Sequence, residues 1–389
     1  MAYLLVFLAC AGTTFAVTPL VRRLVVRFGV IYEPNDRTVH AVPTPTMGGL
    51  AMWAGFLVGL GVSRFLPFFS EMNDASSVPL AALVTCTAMA GLGAIDDMRG
   101  TSALAKFTAQ VFIGGMLILL GVQVVYFWFP GAAIVSVSSD LAVPLTILWL
   151  VLVVNAVNLV DGLDGLAAGM VAIAAGAFFI YMTRTPSAFE GDASSAALLS
   201  AITVGVCLGF LPWNFHPARI FMGDSGSMLL GMLLTIATLS GVGRNPYPPG
   251  AGDLAAIAGT VLVPLLVLAI PILDVALAVV RRTWRGKGIG QADKEHIHHR
   301  LLDIGHSHRG AVLLMYLWSA LISASALAVG LIDGRVAVGA VVLGALVLFV
   351  VTAFPRLERW RASEETVAEP AAVPPPTSTI DDTAPGASR

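Results

Sequence analysis

Apolar side chains in this chain do not alternate with polar ones at the period of a strand. They come in long stretches separated by short polar segments. Eleven such stretches run approximately over Tyr3–Val21, Met47–Phe65, Val78–Ile95, Phe107–Val125, Leu141–Val157, Leu166–Thr183, Ala196–Leu211, Ser227–Val242, Leu254–Val280, Ala311–Ile332 and Val336–Phe354. Most are near the roughly 17 to 25 residues that a helix needs to cross a hydrocarbon core. In lipid the backbone must bond within its own segment, so long uniform runs predict helices, whereas barrel strands would alternate. The expected fold is an all-α polytopic membrane protein of about eleven transmembrane helices.

Composition narrows the picture further. Side chains are 57% apolar and 12% charged, where a soluble domain carries roughly a quarter charged residues. That excess excludes a water-soluble enzyme, a disordered chain and a collagen-like repeat. A net charge of -2 gives no global attraction to nucleic acid. Cys10, Cys86 and Cys207 each lie inside an apolar run, without the pairing of a disulfide framework or a zinc knuckle, and read as packing residues.

The basic residues orient the helices. When the connecting segments are assigned alternately to two sides, only Arg64, Arg184, Arg244 and Arg335 of the 22 Lys and Arg residues fall on one of them. The other side is expected to be cytoplasmic. The first run lacks a basic segment before it, so it is expected to be retained, with the N-terminus outside. After Arg361 the sequence turns to Ala, Pro, Thr, Ser and acidic residues, which predicts a membrane domain over 1–361 and a disordered cytoplasmic tail over 362–389.

All seven histidines fall on the expected cytoplasmic side, as do Asp96-Asp97, Asp161, Asp164 and Asp224. Chemistry concentrated on one face points to a single site built from cytoplasmic loops at the membrane surface. Adjacent carboxylates at Asp96 and Asp97 repel unless a divalent cation or an ammonium offsets them, and Lys106 follows nine residues after Asp97. A solvated helix end is the plainer account of that pair. Asn158, Asp161 and Asp164 recur every three residues within NAVNLVDGLDG, where Gly162 and Gly165 allow close approach of a ligand. This set carries more polar groups than a helix reversal needs. In FMGDSGS, Asp224 could cap the following helix or hold Mg²⁺ beside a phosphate. His296, His298, His299 and Arg300 form a cluster whose neighbouring cations, Lys294 and Arg300, favour phosphate oxygens over zinc. PNDR…H…PTPTMGG before the second run is stiffened by proline and reads by itself as a rigid linker.

With these motifs in order along one face, the chain resembles the polyprenyl-phosphate N-acetylhexosamine-1-phosphate transferases, from the first loop to about His308. The nine-residue spacing from Asp97 to Lys106 and the HIHH form are more similar to bacterial UDP-N-acetylglucosamine:undecaprenyl-phosphate transferases than to the muramoyl-pentapeptide branch. The resemblance implies an enzyme of the bacterial plasma membrane that transfers a sugar 1-phosphate from a UDP-N-acetylhexosamine to a polyprenyl phosphate lipid. UMP is released and assembly of an envelope glycan begins. It also implies Mg²⁺, or Mn²⁺, held by Asp224 with Asn158 as a second ligand. Asp96 and Asp97 would lie beside the acceptor phosphate, Lys106 would offset its charge, and Asp161 would join this catalytic group. Phe221 would pack on uracil, with Gly162 and Asp164 in the nucleoside pocket. His296, His298, His299 and Arg300 would meet the diphosphate or sugar. A homodimer is compatible with the sequence. A secondary transporter is the alternative of a different class, but transporter sites lie near the bilayer midplane on broken helices.

The orientation is testable in intact cells. Single cysteines replacing Ser70 and Ser307, in a background without the three native ones, should respectively label and resist an impermeant thiol reagent; equal labelling of both contradicts it.

Overall fold

The structure is a computed structural model, and it describes residues 1–32, 43–128, 134–184, 193–242, 304–331 and 341–353, with residues 301 and 339. Helices dominate: α1 (Ala2–Arg27), α2 (Gly49–Phe65), α3 (Ser70–Ala75), α4 (Val78–Arg99), α5 (Ala103–Leu119), α6 (Ser139–Val160), α7 (Leu166–Arg184), α8 (Ser195–Asn214), α9 (Gly223–Val242), α10 (His308–Leu331) and α11 (Val341–Ala353). Every expected apolar run coincides with a helix except Leu254–Val280, which lies outside the described residues. The tail over 362–389 lies outside them as well.

Among the described residues, five helices are long and apolar enough to cross a membrane: α1, α4, α6, α7 and α8. A sixth span results if α2 and the Pro67–Ala75 segment count together, although they meet at 88°. That bend has a local cause. Proline disfavours helical backbone at the residue before it, and Leu66, preceding Pro67, is extended with ψ 122°. Two short antiparallel hairpins were not expected from the sequence. β1 (Ile31–Tyr32) pairs with β2 (Thr44–Pro45), and β3 (Tyr126–Trp128) pairs with β4 (Ile134–Ser136).

The centre of the bundle is α9, packed by α2, α4, α6 and α8. From Ser225 to Leu239 every residue is buried, as suits a helix that is apolar on all sides. Its polar start lies at one end of the bundle, among the last turns of α1, α4, α6 and α8 and the first turns of α2 and α5. At that end the Gly48 and Gly49 N–H groups donate to the carbonyls of Phe221 and Met222, each at 2.9 Å, and Arg22 Nε donates to the Arg219 carbonyl at 3.0 Å. The opposite end closes around Tyr3. Its hydroxyl accepts the Ser194 N–H at 3.0 Å, and its ring meets Phe68, Phe69 and Phe179 edge-on at 5.1 to 5.4 Å.

Glycine lets the helices close on the first turn of α9. A Cβ at Gly49 would overlap the backbone of Gly226, and one at Gly93 would overlap the carbonyl of Asp224. Gly61, also on α2, has nothing within 4 Å of such a Cβ. Gly49→Ala should therefore destabilise the detergent-solubilised protein by roughly 1–3 kcal/mol, as overpacking does. Gly61→Ala should be neutral or slightly stabilising through helix propensity. Thermal denaturation of the two variants side by side checks this, and equal melting temperatures contradict the close packing.

Candidate active site

The polar end of the bundle is organised by the turn that starts α9. Gly223 has φ +70°, a backbone conformation that favours glycine. The turn lets the next two N–H groups point at one carboxylate: Asp97 Oδ1 accepts from Asp224 at 2.8 Å and Oδ2 accepts from Ser225 at 3.1 Å. Asp97 belongs to the last turn of α4, so one helix supplies the negative cap for the positive end of another. The segment before α2 holds the same turn from the other side. Besides the bonds from Gly48 and Gly49, the Phe221 N–H donates to the Pro45 carbonyl at 2.8 Å. The PTPTMGG stretch, a rigid linker by its residues alone, is thus strapped to the FMGDSGS stretch.

Asp224 is fixed by its neighbours. Lys106, in the first turn of α5, donates from Nζ to Asp224 Oδ2 at 2.6 Å and to Asp96 Oδ2 at 2.6 Å. Asp96 Oδ1 also accepts the Thr101 N–H at 2.7 Å and the Thr101 hydroxyl. The adjacent carboxylates of Asp96 and Asp97 therefore avoid each other by serving different partners. From the last turn of α6, Asn158 Nδ2 donates to Asp224 Oδ1 at 2.8 Å and to Ser227 Oγ at 2.9 Å. One turn further into the bundle, Asn155 Nδ2 donates at 2.8 Å to Gln110 Oε1, which links α6 to α5 beneath Lys106 and Asn158.

Asp161 immediately follows α6 and has no ion-pair partner among the described residues. Burial pushes its carboxyl up to about 8, and the negative charges of Asp224, Asp97 and Asp164 add to the rise. Asp164 is 4% exposed. Its Oδ2 pairs with His216 Nδ1 at 2.7 Å and accepts the Ala218 N–H at 3.1 Å, and its own N–H donates to His308 Nε2 at 3.3 Å. The two imidazoles stack at 4.2 Å. The Gly162 N–H donates to the Val160 carbonyl at 2.7 Å, and half-buried Phe221 meets Tyr32 edge-on at 5.9 Å.

Five of the residues singled out from the sequence, Asp96, Asp97, Lys106, Asn158 and Asp224, form one hydrogen-bonded network. Asp161 stands within electrostatic reach of it, and Asp164 anchors a neighbouring cluster. They sit on helix ends, however, where loops were expected, because α4, α6 and α9 extend beyond their apolar stretches. Asp97 caps α9: its two oxygens accept the backbone N–H groups of Asp224 and Ser225. His296, His298, His299 and Arg300 lie outside the described residues. Sequence reasoning did not single out Gln110 or Ser227, and it counted His216 and His308 only among the seven histidines of the expected cytoplasmic side. Two had a signal: Gln110 is one helical turn after Lys106, and His216 stands five residues before Phe221.

Glycosyl transferase family 4 matches the chain over residues 79–242, which covers α4 to α9. A decaprenyl-phosphate N-acetylglucosaminephosphotransferase of Mycobacterium leprae is 41% identical over 363 residues, 91% of this chain and 90% of the relative. The chain belongs to glycosyl transferase family 4. Other relatives include a probable undecaprenyl-phosphate N-acetylglucosaminyl 1-phosphate transferase of Bacillus subtilis, 34% identical over 82% of this chain and 83% of that protein. A phospho-N-acetylmuramoyl-pentapeptide-transferase of Mycolicibacterium smegmatis is also 34% identical, but over 59% of this chain and 75% of its own length. The region matched by the family model contains Asp96, Asp97, Lys106, Asn158, Asp161 and Asp224.

Asp161 makes stability depend on pH in a definite direction. Its folded value near 8 lies above the roughly 3.9 of an unfolded aspartate. The contribution is therefore complete below about pH 4 and is lost as pH rises through about 8. Asp161→Asn should flatten the fall in melting temperature between pH 5 and pH 9 and leave the variant more stable than the parent at the alkaline end. Parallel curves would show that Asp161 ionises without strain.

Proposed function

We propose that this chain transfers N-acetylglucosamine 1-phosphate from UDP-N-acetylglucosamine to polyprenyl phosphate, giving the polyprenyl-diphosphate-linked sugar and UMP. The observation that carries the reading is the Lys106–Asp96–Asp224–Asn158 network at one end of an apolar helical bundle, where a lipid phosphate and a water-soluble nucleotide can meet. The 41% identity to a decaprenyl-phosphate N-acetylglucosaminephosphotransferase, against 34% to the muramoyl-pentapeptide relative of Mycolicibacterium smegmatis, supports that sugar over the muramoyl-pentapeptide alternative. A transporter would concentrate its polar groups near the bilayer midplane. Here they gather at helix ends. The orientation with about eleven spans, an outside N-terminus and a cytoplasmic site rests on the distribution of Lys and Arg.

Both substrates are anions, so charge relief and alignment are the main tasks of the site. The donor set fits Mg²⁺ or Mn²⁺, because carboxylates gather beside the Asn158 amide without thiolates, and Asp161 lies among carboxylates with no ion-pair partner among the described residues. Asp224 and Asn158 would hold the ion, which would offset charge on the diphosphate when bound. Lys106 supplies a fixed positive charge. Asp97 keeps Asp224 aimed by capping α9. Phe221 and Gly162 belong to the nucleoside side of the site, and His296, His298, His299 and Arg300 to the diphosphate or sugar.

In this mechanism an oxygen of the lipid phosphate attacks the sugar-bearing phosphorus of the donor. The bond from that phosphorus to the bridging oxygen breaks, and UMP departs. A phosphate monoester with a second pKa near 6 is already largely dianionic at neutral pH, so the acceptor needs little help from a base. Neither Asp96 nor Asp97 is poised as a nucleophile, since their oxygens are engaged by Lys106 and Thr101 or by the start of α9.

Purified protein supplied with UDP-N-acetylglucosamine and polyprenyl phosphate should form the lipid-linked product, identified by mass spectrometry, with release of UMP. Asp224→Asn should insert normally and lose at least about 100-fold in turnover, on the scale of one transition-state contact. Labelled UMP should not exchange into the donor when lipid is absent. Exchange that requires Asp97 would establish a two-step route, and solute flux without UMP release would favour transport.

A further inference from the structure

His216 plays no part in the network around Asp224, yet it is held as an active-site imidazole often is. Asp164 Oδ2 sits 2.7 Å from its Nδ1 and His308 stacks on its ring at 4.2 Å, with the planes 18° apart. Asp164 also accepts the Ala218 N–H, so the aspartate is the acceptor and His216 Nδ1 carries the proton. Nε2 then belongs to a side chain 38% exposed, with no hydrogen-bond partner among the described residues. Beside it, exposed Arg309 donates from Nε to the His216 carbonyl at 3.0 Å, which leaves its terminal guanidinium nitrogens for another group. His216 lies on the same α8–α9 connection as Phe221, just before Asp224 in the first turn of α9, and Asp164 lies three residues after Asp161.

A metal ion is the obvious rival, because ligand atoms of Asp164, His216 and His308 lie within 4.8 Å of one another. The stacking opposes it. Nearly parallel rings direct their in-plane lone pairs side by side, whereas ligands of one ion must converge. His308 Nε2 is already an acceptor for the Asp164 N–H.

We infer that His216, oriented by Asp164 and flanked by Arg309, is a donor-binding residue that donates from both ring nitrogens in the nucleotide complex, from Nδ1 to Asp164 and from Nε2 to a phosphate oxygen of the uridine nucleotide. The inference rests on the transferase reading above and adds a residue to its donor side.

Titration calorimetry of the full chain in lipid nanodiscs with uridine, UMP and UDP-N-acetylglucosamine tests it. Asn can keep the short contact to Asp164 but lacks the far nitrogen, whereas Gln can place a donor near the Nε2 position. His216→Asn should weaken UMP and UDP-N-acetylglucosamine about tenfold, the loss of one charge-assisted hydrogen bond. Uridine should stay within about twofold, since it lacks the phosphate and reports an intact pocket. His216→Gln should recover most of the loss. Unchanged UMP binding in His216→Asn overturns the inference, as does an equal fall for uridine and UMP. Stoichiometric zinc or manganese in the wild type that disappears in His216→Asn overturns it in favour of a metal clasp. Wild-type protein that binds none of the three compounds overturns the transferase reading and this inference together, whereas wild-type binding that His216→Asn leaves intact overturns the inference alone.

Discussion

The ammonium of Lys106, 2.6 Å from a carboxylate oxygen of Asp96 and 2.6 Å from one of Asp224, ties together the end of α4, the start of α5 and the start of α9. These groups retain only 12% to 23% side-chain exposure, so water does little to replace a lost partner. Removing one member of a well-buried ion pair typically costs about 3–5 kcal/mol, mostly by leaving the other charge uncompensated. Asp97 completes the arrangement by satisfying two N–H groups that the first turn of α9 cannot satisfy itself. The position of Asp224 is therefore set by three helices other than its own: α4 through Asp97, α5 through Lys106 and α6 through Asn158.

The same charges leave an imbalance that suits the proposed chemistry. Among the described residues, Asp96 and Asp224 share the ammonium of Lys106 with Asp97 and Asp161 close by, and burial raises the Asp161 carboxyl, with the charges of Asp224, Asp97 and Asp164 adding to the rise. The described carboxylates by themselves would repel a diphosphate, which is the physical reason for the proposal that Asp224 and Asn158 hold a divalent ion. The cluster of Asp164, His216 and His308 lies to one side and brings basic groups, with Arg309 next to them. Charge is thus divided across the polar end of the bundle, with carboxylates near the start of α9 and imidazole and guanidinium groups between the α8–α9 connection and the start of α10.

Several features were legible in the sequence because they depend on local composition. Each described apolar run became a helix, since a long uniform run in lipid leaves the backbone little choice. The grouping of acids and amides on one face was legible for a similar reason: the ends of consecutive spans alternate between two sides. Helix ends were less legible. Asp97, Asn158 and Asp224 lie within helices because neighbouring helices supply caps and partners at those points, and hydropathy does not register such contacts. The 88° bend at Pro67 carried a sequence signal in its proline, whereas the two hairpins depend on strand pairing across intervening residues.

By itself the sequence determined a mostly helical, apolar chain with its reactive side chains collected at one end, and its motif order placed it among the sugar-phosphate transferases. Tertiary structure alone decided how those side chains divide their work. Lys106 and Asp224 are 118 residues apart, and Asp97 and Asp224 are 127 apart; no local period relates such positions. Their meeting depends on glycine contacts that bring α2 and α4 against α9, and on the strap between Gly48-Gly49 and Phe221-Met222. Adjacent aspartates with identical chemistry consequently serve different purposes, Asp96 pairing with an ammonium and Asp97 capping a helix, because successive residues on a helix point in different directions and meet different neighbours.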